Sequence, residues 1–178
     1  MRTMRTLLCA LLLCCFAVSA LAEPVAMMVS SEGVTNGVLA DAYGKKGTDF
    51  VKGKPSRSMP LTLTHLPDGT ACLAIEMTDP DGGDWVHWLA ANVPASDEIA
   101  ENASIELADQ MLQGKNSFGL IGYGGPTPPR GTHTYVITVY ALSAKAELKS
   151  GFSQKNFHRA IKDLVLASAT LEADYSKD

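Results

Sequence analysis

The chain reads as one mainly β domain with few helices, and three observations carry that reading. It has 178 residues, 46% apolar and 19% charged, the size and composition of a single folded unit. Residues 135–142 (Tyr-Val-Ile-Thr-Val-Tyr-Ala-Leu) are dense in the β-branched and aromatic types that fit a pleated surface. Clear helical spacing of apolar residues appears only near the end of the chain. The 15 basic and 19 acidic residues leave a net charge of −4. That balance gives no basic footprint for nucleic acid.

The first 22 residues have the pattern of a secretory leader. Arg2 and Arg5 make a positive start, an apolar run covers residues 7–18, and Ala20 and Ala22 supply small residues before Glu23. Cleavage after Ala22 is expected, with a periplasmic or secreted destination and no stable membrane anchoring. The leader holds two Arg and no acid, so its loss takes the charge to −6. It also removes Cys9, Cys14 and Cys15. Only Cys72 stays, so an intrachain disulfide cannot hold the domain at residues 23–178. Cys72 sits in the run Ala-Cys-Leu-Ala-Ile and reads as a small buried hydrophobe.

Residues 25–29 predict a first strand, and Gly33, Asn36-Gly37, Gly44 and Gly47 mark turns among short strands. Pro67-Asp68-Gly69 is a turn: Pro presets one dihedral and Gly permits a positive one. Strands follow at 72–78 and 86–93. Residues 99–113 have helical composition ended by Gly114 and Asn116. Ser153 caps a helix with Phe157, Ile161, Leu164 and Val165 on one face. Ala169, Leu171, Ala173 and Tyr175 then alternate with polar residues as a closing strand.

Chemistry-bearing side chains concentrate in two loops. One is Asp79-Pro-Asp81-Gly-Gly-Asp-Trp85-Val-His87-Trp88; the other runs from Tyr123 through Arg130 to His133 and Tyr135. Gly and Pro at this density hold a loop in one shape and leave backbone N–H groups for a ligand. Asp79, His87 and His133 could make a two-His, one-carboxylate metal site, yet no H-x-H or H-x-x-x-H puts two ligands on one element. An Asp–His pair could activate water or a Ser hydroxyl, but no G-x-S-x-G elbow is present. The residues could instead cap turns and satisfy buried backbone groups. A fourth reading is an anion pocket. His65 and His158 read as structural or surface residues, and Lys145, Lys149, Lys155, Arg159 and Lys162 as a solvated basic face.

These stretches resemble a known family. Asp79-Pro80-Asp81, Trp85-Val86-His87-Trp88 and Gly-Tyr-Gly-Gly-Pro-Thr-Pro-Pro-Arg-Gly-Thr-His at 122–133, with Tyr135, are similar to the signatures of phosphatidylethanolamine-binding proteins. The bacterial YbhB/YbcL branch, also called Raf kinase inhibitor-like, matches best. Asn116-Ser-Phe-Gly119 and Val139-Tyr-Ala-Leu142 agree with it. The resemblance implies a large central antiparallel β-sheet packed against a smaller sheet, with a C-terminal helix. It also implies a cavity for a phosphoryl or similar anionic group. By position, the ligand-binding set is Asp79, Asp81, Trp85, His87, Gly125, Pro126, Thr127, His133 and Tyr135, with no metal and no cofactor.

Two departures stand out. Relatives usually read Asp-Pro-Asp-Ala-Pro where this chain has Gly82-Gly83, which predicts a looser pocket rim. Leu63 stands where a Trp is usual. The expected function is binding of a small anion (phosphate, phosphorylethanolamine or a carboxylate), with an exported protein as a further partner and no catalysis. The rivals are a hydrolase acting on phosphoryl or acyl esters through Asp79 and the two His, and an inhibitor of an exported protease.

Overall fold

The computed structural model describes residues 25–178; the leader lies outside them. In chain order the strands are β1 (Met28–Ser30), β2 (Val34–Thr35), β3 (Val38–Leu39), β4 (Phe50–Val51), β5 (Lys54–Pro55), β6 (Leu61–Thr64), β7 (Cys72–Asp79), β8 (Trp85–Pro94) and β9 (Glu98–Ile99). The short helix α1 (Ala103–Glu106) precedes β10 (Leu112–Gln113) and β11 (Thr132–Leu142). Helix α2 (Gln154–Ile161) precedes β12 (Val165–Ser176). Seven strands form the main sheet in the order β10-β8-β7-β11-β12-β3-β2, and β1-β6-β9 form a smaller one. The expected architecture is present with one change. β3 runs parallel to β12, so the main sheet is mixed rather than wholly antiparallel.

Both faces of the main sheet are covered, which is why β7 is buried almost without interruption. Leu73, Ile75 and Met77 of β7 join Tyr135, Ile137 and Val139 of β11 against Leu61 and Leu63 of the smaller sheet. Leu63, in the usual Trp position, is 2% exposed and fills this core. On the other face, Cys72, Ala74 and Leu89 pack under Phe157 and Ile161 of α2. Ser153 caps α2 by accepting from the Asn156 N–H at 3.3 Å. Glu76, buried at the sheet surface, accepts from Gln154 Nε2 (2.8 Å) and from Tyr140 Oη (3.3 Å), and His158 Nε2 lies 3.1 Å from it. His158 is thus a surface residue with a structural partner.

Three local expectations are corrected. The first strand starts at Met28, three residues later than predicted, and Val25 is exposed. Residues 99–113 form one helical turn and a short strand: Asn102 sits at φ 61°, and Leu112 and Gln113 pair with β8 instead. Val165 leaves the helix face and opens β12, opposite Leu142 of β11. Pairing of eleven residues of β12 with β11 outweighs another turn of helix.

β8 is interrupted near its start. Thr78 pairs with Val86 and Met77 with Trp88, so His87 is an extra residue in a β-bulge. Val86 packs with the α2-side core while Trp88 enters the other core, although simple alternation would put both on one side.

Candidate functional site

At the open end of the main sheet, the last residue of β7, the bulge of β8 and the first residues of β11 converge on a cavity of about 460 Å³. Its wall includes Asp79, Asp81, Trp85, His87, Thr127, His133 and Tyr135, seven of the nine residues expected from sequence. The pleat explains much of this. Asp79 continues the side of β7 that carries Ile75 and Met77, and His133 continues the side of β11 that carries Tyr135 and Ile137. The bulge turns His87 to the same side. Phe118 adds an aromatic wall, edge-on to Trp85 at 5.4 Å and to His87 at 5.6 Å, and Lys54 Nζ lies 4.8 Å from its ring centre.

The polar atoms are held in a definite arrangement. His133 Nδ1 donates to Asp79 Oδ2 at 2.8 Å, and Gly82 N–H donates to Asp79 Oδ1 at 2.8 Å. Asp81 Oδ2 accepts from the Thr134 N–H at 2.9 Å, tying the β7–β8 turn to β11. His87 is 2% exposed and its Nδ1 donates to the Gly124 carbonyl, while Gly124 N–H donates to the His87 carbonyl at 2.9 Å. Burial pulls the His87 pKa below its ordinary 6.5, partly countered by the Gly124 carbonyl and the Asp79 charge. The Tyr135 hydroxyl is buried beside the Asp79 carboxylate, without a close, well-aligned hydrogen bond to it. Burial, reinforced by the Asp79 carboxylate, holds that phenol well above its usual value, so it remains an O–H donor.

Gly125 and Pro126 do not line the cavity; they anchor the loop behind it. Gly125 N–H donates to Pro55 O at 2.9 Å, and a Cβ there would lie 2.2 Å from Tyr43 O. The Pro126 carbonyl accepts from the Lys45 N–H at 2.9 Å. Asn116 shapes the loop start, accepting from the Phe118 and Leu120 N–H groups at 3.1 Å and donating to Gly122 O at 2.9 Å. The Gly82-Gly83 rim is a bonded turn, not a slack one: Gly82 N–H also lies 3.2 Å from Asp79 O, and Gly83 N–H donates to Pro80 O at 3.1 Å. Gly83 has φ 75°, a value closed to proline. The pair encodes a different turn from the usual Ala-Pro.

Gly82, expected at the rim, lines the cavity, as do Phe118, Pro129 and Arg130, which were not among the expected ligand-binding residues. Arg130 is the only Lys or Arg in the 122–133 loop, a signal that could have marked it. Among the described residues, no group of three His, Cys, Asp or Glu side chains is placed to hold a metal ion. Trp88 is core: its Nε1 donates to Gln113 Oε1 at 2.9 Å. A wider groove of about 950 Å³ beside α2 mixes Lys145, Lys149 and Arg159 with Glu147 and Asp163.

The structure is thus a mainly β fold with an Asp–His cavity at the end of its main sheet. The family model for phosphatidylethanolamine-binding proteins matches residues 29–176. The chain is 38% identical over 156 residues to the uncharacterized protein YxkA of Bacillus subtilis, across 77% of this chain and 93% of that one. It is 34% identical to protein PH1269 of Pyrococcus horikoshii, across 87% of this chain and 79% of the relative. Escherichia coli YbcL, a member of the mammalian family by its description, superimposes with TM-score 0.72 at 27% identity, covering 85% of this chain and 99% of YbcL. The CT736 homologue of Chlamydia trachomatis gives TM-score 0.73 at 29% identity, covering 86% and 99%. The chain belongs to the phosphatidylethanolamine-binding protein family.

Proposed function

We propose that this chain is an exported binding protein whose cavity takes a small anionic group, phosphoryl or carboxylate. The observation that carries the reading is a single cavity wall shared by the Tyr135 hydroxyl, His87 and His133, with Arg130 at the rim. A ligand oxygen within reach of the Tyr135 O–H would give that poorly aligned donor a better acceptor. Arg130 at the rim supplies positive charge where a net-acidic chain has little to offer an anion at long range. Asp79 holds His133 with its Nε2 as the ring's remaining polar atom, and the Gly124 carbonyl does the same for His87. Phe118 and Trp85 form an apolar side that suits the organic part of an ester.

Inorganic phosphate and phosphorylethanolamine are expected to raise the melting temperature by mass action and to shift the imidazole NMR signals of His87 and His133. No shift at millimolar ligand would overturn the assignment. Turnover of chromogenic phosphate or carboxylate esters, lost in H87A and H133A, would make the cavity an active site instead.

A further inference from the structure

Resting on the anion-cavity reading, we infer that the cavity takes its anion together with a proton. It selects hydrogen phosphate and phosphomonoester monoanions over sulfate and phosphodiesters. His87 is the decisive group. A carbonyl can only accept, so the Nδ1 facing Gly124 must carry the ring's hydrogen, and the reciprocal bond from Gly124 N–H pins loop and strand together. The ring is 2% exposed and burial disfavours a second proton. In neutral solution His87 therefore offers a lone pair at Nε2, not a donor.

The groups facing it come from every element around the cavity. Asp79 ends β7, Asp81 lies in the following turn, and Arg130 precedes β11, which carries His133 and Tyr135; Trp85 and Phe118 are uncharged. The Tyr135 O–H and the Arg130 guanidinium donate to anionic oxygens. His87 needs the opposite, an O–H from the ligand. Sulfate has none, and would set an oxygen lone pair against the ring lone pair unless the buried imidazole first took up a proton. Hydrogen phosphate and a phosphomonoester monoanion bring that hydrogen themselves. A phosphodiester, the linkage of an intact phospholipid headgroup, does not.

Calorimetric titration at about pH 8 compares inorganic phosphate with sulfate, which then match in charge and shape. Phosphate is expected to bind at least about tenfold more tightly. The advantage should shrink only below the ordinary imidazole pKa of 6.5, once His87, whose pKa burial lowers, takes up a proton and donates to sulfate. A second arm, run at about pH 6 where the monoester monoanion is populated, sets phosphorylethanolamine against glycerophosphorylethanolamine and so separates a free monoester from a lipid headgroup. H87N keeps an N–H for the Gly124 carbonyl but lacks the Nε2 lone pair, and should bring phosphate and sulfate to parity. Long-range proton–nitrogen NMR of the wild-type chain reads the tautomer without any variant, and a hydrogen on Nε2 would overturn the inference. So would equal affinity for phosphate and sulfate, with the anion cavity left standing. Binding of neither anion would overturn both.

Discussion

Replacing Asp79 by Asn tests the hydrogen-bond logic of the cavity at a single atom. Asp79 is 5% exposed, with one oxygen accepting from His133 Nδ1 and the other from Gly82 N–H, each at 2.8 Å. Asn preserves the shape but turns one oxygen into NH2. The Gly82 N–H can only donate, so the amide oxygen must stay beside it, and the NH2 is left facing His133 Nδ1. Two donors cannot meet, and His133 must move its hydrogen to Nε2. A hydrogen bond to a charged group contributes about 1.5–3 kcal/mol and a neutral one about 0.5–1.5 kcal/mol. The expected loss for D79N is therefore about 1 kcal/mol, or roughly 2–4 °C in melting temperature for a domain of this size. D79A leaves two donors without partners and should lose about 2–3 kcal/mol. Thermal melts followed by circular dichroism, with proton–nitrogen NMR of His133, read both effects. If His133 in D79N still carried its hydrogen on Nδ1, or if D79A melted with the wild type, the reasoning would fail.

Three further outcomes follow from the same coordinates. Because burial lowers the His87 pKa from 6.5, the unfolded chain takes up that proton first; this contribution to stability is full above about pH 6.5 and is lost as pH falls below it. Urea midpoints between about pH 8 and pH 5 should show the decline, with a shallower slope in H87N. G125A should cost more than about 2 kcal/mol, because its methyl group meets the backbone oxygen of Tyr43, whereas G37A, with open space but φ 78°, should cost about 1 kcal/mol in paired melts. Cys72 is 1% exposed and burial raises its thiol pKa, so a thiol reagent should leave the native protein unmodified and react fully in urea.

Much of the fold was legible because it rests on short-range chemistry. The run at 135–142 lies within β11, the Ser153 cap starts α2, and the alternation ending at Tyr175 is β12. Errors came where long-range pairing overrode local preference: Val165 belongs to a strand because β11 is there to pair with it, and 112–113 pair with β8 rather than extending a helix. The glycines misled in a related way. Gly82-Gly83 looks slack in isolation, yet Asp79 and Pro80 accept its N–H groups and the positive φ of Gly83 defines the turn. Phe118 escaped notice because nothing local to it marks a cavity wall, whereas Arg130 stood out as the lone base of its loop and was passed over.

By itself, the sequence determined which chemical groups the chain can bring to a ligand: the Asp79 carboxylate, two imidazoles on separate strands, the Tyr135 phenol and a loop stiffened by Gly and Pro. It also determined that packing, not disulfides, holds the described domain, since its single thiol is Cys72. Only the tertiary structure decided how those groups are committed. The bulge at His87 reverses the pleat and turns its ring toward Asp79 and Tyr135, and a distant carbonyl, Gly124, selects which ring nitrogen holds the hydrogen. Residue type sets what a side chain can donate or accept, but the partner that uses up one of its atoms comes from another part of the chain and exists only once the sheet has closed.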